Sequence, residues 1–415
     1  MSYINLTKTS APSTPSANKS ALYVDTTTRR LTQIDDTWVV NILTHDGLQD
    51  KNILTNGGFS IQQRMAVAST AIAGISTTTR AGQVADCWAV TTSVASNLNW
   101  QQVDTSGATD SLLESRYYGS IICASAVKKV MLSQWILNAE MAHLRNKQVR
   151  LSLKSSQKVW SEWQIFKIWL LQLTSAGTVD TSPAFLSGAW SASTGTDPAW
   201  GTNLSAVTPD STVTPENWTI VWNFVEFTTT LAWKRSSGVW TVPSNCKNLV
   251  FVVFANASSV GATDNFSFAE MQLTQWEEII DYVEPPQAET LIRCQRRFCK
   301  SFPLGVTPAT GVAVATGGNG EVGIIWKTGA TALAAVIQIR FPVRMWKTPA
   351  LTLYAPVGAG AVPYRINGTT PAAQTTAATT GLLDMWAVVT ATGDANGAIG
   401  DLVWVHYSAE AEFIA

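Results

Sequence analysis

The chain reads as all-β, and three observations carry that reading. Residues 148–156 (QVRLSLKSS) alternate strictly, with Val149, Leu151 and Leu153 on one side and Arg150, Ser152 and Lys154 on the other. Residues 248–258 (NLVFVVFANAS) are almost wholly apolar at their centre, the composition of a central strand buried on both faces. One stretch alone, residues 126–147, is strongly helix-prone, and no repeat at the period of a solenoid or propeller occurs.

Composition bounds the rest. A length of 415 residues accommodates two or three domains, each with its own core. Charged residues make up 14%, against roughly 25% in ordinary soluble domains. With 28 Lys and Arg against 29 Asp and Glu, no net field draws the chain to nucleic acid or to an anionic membrane. A surface of Ser, Thr, Asn, Gln and Gly suits packing against copies of the same chain, because few charges need desolvating. The 18 Trp point either to sandwich cores or to ligand-stacking platforms. The five cysteines, Cys87, Cys123, Cys246, Cys294 and Cys299, are odd in number and scattered. They fit buried free thiols made in a reducing cytoplasm rather than a zinc site or a disulfide framework. The first 20 residues lack the basic and apolar regions of a signal peptide. The most apolar run, residues 163–173 (WQIFKIWLLQL), is interrupted by Lys167, so no membrane span is expected.

Taken in order, residues 1–20 are too polar to form a core. In residues 21–43, β-prone ALYVD and TWVVNIL flank RRLTQID, which reads as short strands that need copies of themselves or a partner surface. An ordinary leading strand pair of the next domain is the alternative. Gly57-Gly58 supplies a flexible turn within NILTNGGFSIQQRM (residues 52–65). Residues 84–103 predict two strands and a turn. In residues 126–147, Leu132, Trp135, Ile136 and Met141 recur at roughly helical spacing and predict a partial helix. Residues 174–216, small and polar with Trp190 and Trp200, read as a loop or hairpin insertion on the sandwich rim. Residues 291–301 (LIRCQRRFCKS) form a basic junction in which Cys294 and Cys299 would face different ways on a helix, which argues against a redox pair. Strands return in GEVGIIWK, ALAAVIQIRFPVRMW, PALTLYAPV, LLDMWAVVTATG and LVWVHYSAEAEFIA. Residues 367–380 read as a polar tip loop.

Catalytic signals are sparse. His45, His143 and His406 have no pairing in sequence, and no hydrolase, zinc-protease or nucleotide fingerprint occurs. GDANGAIGD (residues 393–401) lacks the closing Glu of a calcium loop and reads as a hairpin turn, so neither metal nor cofactor is expected. Glycoside hydrolysis needs two flanking carboxylates. The candidates are Glu277 and Glu278 with Asp281, Asp35 with Asp36, and Glu410 with Glu412. Glycan binding asks instead for aromatics that stack on sugar C–H faces, and Trp190, Trp200, Trp218 and Trp222 in the loop-rich half are the candidates.

Several motifs carry a family resemblance. LYVD…RRLTQIDD resembles the N-terminal attachment segments of bacteriophage head and tail fibres. NILTNGGFSIQQRM and AEMQLTQWEEIIDYVEPP resemble the opening and closing of phage jelly-roll modules related to carbohydrate-binding modules. CQRRFCKSF, RFPVRMWKTPALTLYAP and WVHYSAEAEFIA resemble the junction and C-terminal sandwich of the same phage proteins. The resemblance implies an attachment segment at 1–50, with Tyr23, Val24, Asp25, Leu31 and Trp38 as attachment residues. It implies a jelly-roll carbohydrate-binding-like domain at 51–288 and a C-terminal β-sandwich at 289–415. It further implies a non-enzymatic virion protein, made in the host cytoplasm and assembled as a homotrimer, whose partners are capsid or tail and baseplate proteins and host-surface glycans. A tail fibre or spike is the leading reading and a capsid-attached head fibre or decoration protein the alternative. A glycan-degrading enzyme and a secreted carbohydrate-binding protein rank below both. In that family the QWEEIIDYVEPP acids sit on the closing strand and exit loop, which favours pairing with the basic residues at 293–300 over catalysis.

Overall fold

The computed structural model describes residues 8–9, 20–25, 31–35, 40–42, 52–65, 70–71, 81–92, 98–106, 113–123, 130–157, 165–173, 200, 204–210, 218–221, 224–228, 233–255, 264–275, 281–311, 321–328, 332–355, 364–367, 370–373, 376–392 and 402–411. The chain is all-β, with β-sandwich sheets of jelly-roll type and two short α-helices among these residues. No helix among them is long and apolar enough to cross a membrane.

The first sheet takes its strands in chain order: β1 (Lys8–Thr9), β2 (Ser20–Asp25), β3 (Leu31–Asp35) and β4 (Val40–Ile42). The β2–β3 pair is antiparallel, with Val24 opposite Leu31 and Ser20 opposite Asp35. Tyr23, Val24, Asp25 and Leu31 therefore lie on its two inner strands, while Trp38 lies outside the described residues.

The next fourteen strands make two sheets. They are β5 (Thr70–Ala71), β6 (Ala81–Gln83), β7 (Ala89–Thr92), β8 (Leu98–Asp104), β9 (Tyr117–Cys123), β10 (Val130–Ile136) and β11 (Gln148–Gln157). Then follow β12 (Ile165–Leu173), β13 (Leu204–Ala206), β14 (Trp218–Val221), β15 (Phe224–Thr228), β16 (Lys234–Thr241), β17 (Asn248–Ala255) and β18 (Asn265–Thr274). One sheet runs β14-β15-β12-β17-β10-β7-β6 with β13 on β12, and the other runs β16-β11-β18-β9-β8-β5. The two strands expected in residues 84–103, β7 and β8, fall in different sheets.

Period-two alternation places the core. Leu132 and Ile136 of β10, Phe166, Ile168 and Leu170 of β12, and Leu249, Phe251 and Val253 of β17 face the opposing sheet's Val149, Leu151, Leu153, Phe266, Phe268 and Leu273. Trp88 and Trp100 sit fully buried among them on either side of Phe59, each with ring centroids 5.4 Å from it. Burying one such ring removes about 200 Å² from water, on the order of 5 kcal/mol before entropy is counted. The alternation corrects the helix expected in residues 126–147. Leu132, Trp135 and Ile136 belong to strand β10, and only the following turn is helical, as α1 (Asn138–Met141) and a single 3-10 turn, Ala142–Leu144. Apolar residues on both faces of a central strand mimic a helical recurrence, and pairing with β7 and β17 on either side decides the matter. As expected, β17 is central and buried on both faces.

The segment 52–65 has no regular structure yet is buried, so its polar groups must be satisfied internally. Asn52 donates through Nδ2 to the Met271 carbonyl (2.9 Å) and accepts at Oδ1 from the backbone N–H of Leu54 (3.1 Å) and Leu273 (3.0 Å). Gln134 of β10 caps Thr55 at both its N–H and its carbonyl, each 2.8 Å. Asn56, at φ 58°, holds the turn by accepting from Ile61 N–H (3.0 Å) and donating to Ile61 and Asp86 carbonyls (2.9 and 3.2 Å). Gly57 is required for close approach rather than for flexibility, because a Cβ there would stand 1.9 Å from the Met271 carbonyl oxygen.

Helix α2 (Gln287–Gln295) leads into β19 (Phe298–Lys300), β20 (Glu321–Thr328), β21 (Ala332–Arg340), β22 (Ala350–Tyr354) and β23 (Tyr364–Asn367). The remaining strands are β24 (Thr370–Ala373), β25 (Thr376–Leu382), β26 (Trp386–Thr392) and β27 (Leu402–Glu410). The stretch 367–380, expected as a tip loop, instead contributes β24 and most of β25: small polar residues that read as loop are held by backbone pairing to β23 and β26. Strand β27 changes partners along its length. Its first residues pair with β20 and β23, and residues 406–410 pair with β22, with the last three also opposite β19. A second core gathers at this corner around Ile337, Ile339, Phe341, Val389, Val405 and Tyr407.

Replacing Gly57 by Ala is expected to cost about 3 kcal/mol or more, because backbone must move on both sides of the contact. Gly381→Ala, whose added Cβ would meet nothing nearer than Trp386 at 3.5 Å, is expected to change stability by less than about 1 kcal/mol. Urea unfolding of the two variants beside the parent checks the contrast.

Candidate functional site

The outer faces of the two sandwich sheets differ in chemistry. On the β12/β17/β10 sheet, Met131, Trp135, Trp169, Leu171, Leu173, Val250, Val252 and Phe254 form a second buried apolar layer. Trp200 packs edge-on against Trp169 with ring centroids 4.4 Å apart, and Trp346 from beyond α2 joins the same layer. Of the predicted glycan-contact residues, Trp200 is thus half-buried against this layer. Trp218 begins β14 at the sheet edge, and Trp190 and Trp222 lie outside the described residues.

The outer face of the β11/β18/β9 sheet is polar. Ser237, Ser152 and Gln272 share one row across three strands, and Ser267 and Ser120 share another with Gln101. Arg150 donates to the Ser237 hydroxyl at 3.1 Å, and Ser120 meets both Asn265 and Ser267. The alternation of residues 148–156 reads as a half-solvated strand with Arg150, Ser152 and Lys154 facing outward; of these, Arg150 and Ser152 are instead buried and Lys154 is half-buried.

A charged rim closes one end of this face. The β-bulge opposite Leu153 turns Glu270 to φ 51°, and the Glu270 carboxylate takes Lys154 Nζ at 2.8 Å and Arg235 at 3.6 Å. Its other oxygen accepts from the backbone N–H groups of Glu114 and Ser115. Arg235 also reaches Asp281 at 2.9 Å. Asp281 therefore pairs with Arg235 of β16, not with the junction basics as expected. Farther out, Arg116 donates to Asp104 at 3.1 Å and lies 5.1 Å over the Tyr117 ring, with both charged side chains well exposed. The Ser106 N–H and the Arg116 guanidinium hold the Asp104 carboxyl down at about 2, so it accepts hydrogen bonds across the whole physiological range.

The basic junction serves a different purpose. Arg293 donates to the Asn52 and Ile53 carbonyls (3.2 and 2.9 Å), and Arg297, buried, takes the Glu140 carboxylate at 2.7 Å. Arg296 lies 4.0 Å over the Trp346 ring, and the Trp346 backbone N–H donates to the Arg296 carbonyl at 2.9 Å. A cleft of about 240 Å³ between α1 and α2 is lined by Asn52, Ile53, Glu140, His143, Glu289, Arg293 and Arg296. Arg64 joins the central sandwich to the last strand. It makes a forked contact with Glu410, one arm at 2.9 Å, stacks 4.0 Å over Phe298, and stands 3.8 Å from fully buried Asp86. No sequence signal pairs residues this far apart.

The catalytic candidates are dispersed. Glu410 is committed to Arg64, Glu412 and the Glu277/Glu278 pair lie outside the described residues, and Asp35 ends β3 while Asp36 lies outside the described residues. His406 is buried, stacked 4.4 Å on Phe302, with its Nδ1 3.0 Å from the Ser301 hydroxyl, which also accepts Tyr407 N–H. Burial lowers its pKa, favouring neutral imidazole. His143 lines the junction cleft and His45 lies outside the described residues. Among the described residues, no group of three or more His, Cys, Asp or Glu is placed to hold a metal.

No family model matches the chain, and no curated protein matches it. Similar solved structures include a CBM61 module in complex with β-1,4-galactotriose, at 12% identity, TM-score 0.29, over 55% of this chain and all of that one. A putative sugar-binding protein from Bacteroides thetaiotaomicron matches at 10% identity and TM-score 0.30, again over 55% of this chain and 100% of its own. The enzymatically active domain of tailspike protein 4 from bacteriophage CBA120 matches at 8% identity and TM-score 0.27, over 54% of this chain and 21% of its own. At such identities and scores none of them says what this chain binds or does.

Arg64→Ala strands Asp86 and Glu410 together and is expected to cost about 3 kcal/mol, read by denaturant unfolding, with earlier proteolysis at the junction. Asp86 gives a pH signature. Burial, only partly offset by Arg64, raises its carboxyl from 3.8 to about 6. The folded state therefore holds this proton more tightly, so Asp86's contribution is fully present below pH about 4 and is lost as pH rises through about 6. Asp86→Asn is expected to remove that slope; an unchanged slope of unfolding midpoint against pH between 4 and 6 would contradict it.

Proposed function

We propose that this protein is a non-catalytic bacteriophage virion protein, a homotrimeric tail fibre or spike. In this reading it attaches to the particle through its N-terminal sheet and presents its β-sandwiches to host-surface glycans. The observation that carries the glycan part is the exposed Arg116–Asp104–Tyr117 group at the end of the polar sheet face. A guanidinium and a carboxylate held side by side offer donors and acceptors to sugar hydroxyls, next to a half-buried aromatic ring. Commitment of Glu410 and Asp281 to arginine partners argues for structural roles over hydrolysis for those two carboxylates. The virion part is supported by the sequence resemblance of residues 21–43, 52–65 and 270–302, whose first segment folds as a small sheet of its own strands. Trimerisation multiplies weak glycan contacts into useful avidity. A capsid-attached head fibre uses the same modules and is the second reading, favoured by the same N-terminal sheet.

The full chain is expected to bind host-surface polysaccharide at millimolar to micromolar strength and to release no oligosaccharide from it. Tyr117→Ala and Arg116→Ala should each weaken binding about tenfold by calorimetric titration, with Trp218→Ala and Trp200→Ala run beside them as the aromatic candidates. Retained affinity in the rim variants together with loss in Trp218→Ala would move the site to the edge of the apolar sheet. Immunogold labelling of purified particles with antibody to residues 291–415 checks the virion reading: gold at the tail supports a fibre or spike, gold around the capsid supports a head fibre, and unlabelled particles would refute both.

A further inference from the structure

The tertiary fold brings together two thiols separated by 207 residues in the chain: the sulfurs of Cys87 and Cys294 are 4.0 Å apart. Cys87 sits in the tight turn between β6 and β7, held by Val84 N–H to Trp88 carbonyl (3.0 Å) and Trp88 N–H to Ala85 carbonyl (2.9 Å). Its φ of 72° lies in the left-handed region that a non-glycine residue enters only when its surroundings fix it. Cys294 lies on the inner side of α2, and Ile61 and Leu291 complete an apolar nest around the pair. The other three cysteines are elsewhere: Cys123 in the sandwich core, Cys246 against the Asn248 carbonyl at 3.3 Å, and Cys299 beside the Met345 sulfur at 3.9 Å. Sulfurs already in contact need to close by about 2 Å to reach bonding distance, within reach of small torsional changes in two short side chains.

We propose that Cys87 and Cys294 are a latent disulfide site that, on exposure to peroxide, covalently ties the central sandwich to helix α2. The step balances with one peroxide molecule. Cys87, the pair member with residual exposure (3% against 0%), attacks a peroxide oxygen as thiolate; an S–O bond forms, the O–O bond breaks, and the departing hydroxide leaves as water. Cys294 then loses its proton and attacks the sulfenic sulfur; the S–S bond forms, the S–O bond breaks, and a second water leaves. Two thiols are oxidised and one peroxide is reduced to two waters. Burial pushes the Cys294 thiol well upward, and Cys123, Cys246 and Cys299 up to about 12. Outside oxidants therefore find few thiolates in the folded protein, and the reaction is slow, with the neighbouring thiol as the nearest reductant of any sulfenic acid at Cys87. The product closes the segment from residue 87 to 294 and pins the junction in the unfolded state, which raises the unfolding temperature.

The test uses the full reduced chain incubated with hydrogen peroxide, then denatured, alkylated and digested without reductant. The expected result is a mass loss of about 2 Da per chain, a linked peptide pair containing Cys87 and Cys294, and alkylation of the other three cysteines. The unfolding midpoint should rise, and dithiothreitol should reverse both changes. In Cys294→Ser, dimedone should trap a sulfenic acid at Cys87. Five alkylated cysteines after exposure, oxidation of Cys87 to sulfinic acid without a link, or a link dominated by any other pair would overturn the proposal. The first measurement is made on the parent chain, so a variant that fails to fold does not protect the idea.

Discussion

A buried, irregular segment is the constraint on which the rest of this molecule depends. Residues 52–65 run through the sandwich without a strand or helix to satisfy their backbone, so their polar groups depend on turns within the segment and on partners elsewhere in the fold. Those partners come from both sheets and from beyond α2. Asn52 reaches β18, Gln134 of β10 caps Thr55, and Trp100 of β8 donates to Gln62 at 3.3 Å. Gln63 donates to the Phe298 carbonyl at 3.0 Å, and the Gln62 carbonyl accepts Gly305 N–H at 2.9 Å. One segment thus sets the spacing of the two sheets and the docking of the strand that follows the junction. Its glycines and asparagines are fixed by contact distances and left-handed backbone.

The junction turns this packing into a joint. Arg64, Arg293 and Arg297 each meet an acceptor across it, and the buried Asp86 makes the joint sensitive to protonation. Buried ion pairs contribute little net stability because desolvation cancels much of the attraction, but losing one partner is costly. They therefore fix register more than they add strength. Much of the basic run of the sequence is spent on this internal work, with Arg297 buried and Arg293 donating to backbone carbonyls, while Arg296 stays exposed.

The two outer sheet faces differ in chemistry. An apolar layer of tryptophans, leucines and valines covers one sheet, with Trp200 and Trp346 leaning on it. Hydroxyls, amides and charges occupy the other, and their exposed members collect at one end, where a bulge and two charged clusters hold polar atoms in fixed directions. Rigid placement of this kind lowers the ordering cost of recognising a polar, hydroxyl-rich ligand.

By itself the sequence determined the fold class and most strands, since period-two alternation and doubly apolar runs such as Asn248–Ala255 are local signals. It failed at β10, where two buried faces imitate a helix. It failed again at residues 367–380, where alanines and threonines carry little packing signal and backbone pairing to β23 and β26 makes the strands. The candidate site was legible only in kind: aromatics and polar residues could be listed, but not which of them share a surface. Local strand pairing of β8 with β9 set Asp104 beside Arg116 and its chain neighbour Tyr117, whereas tertiary structure alone brought Arg64 to Glu410 across 346 residues and Cys87 to Cys294. Local patterning reports which face of its own element a residue occupies, whereas the identity of a distant partner depends on how whole sheets pack and where the chain crosses between them.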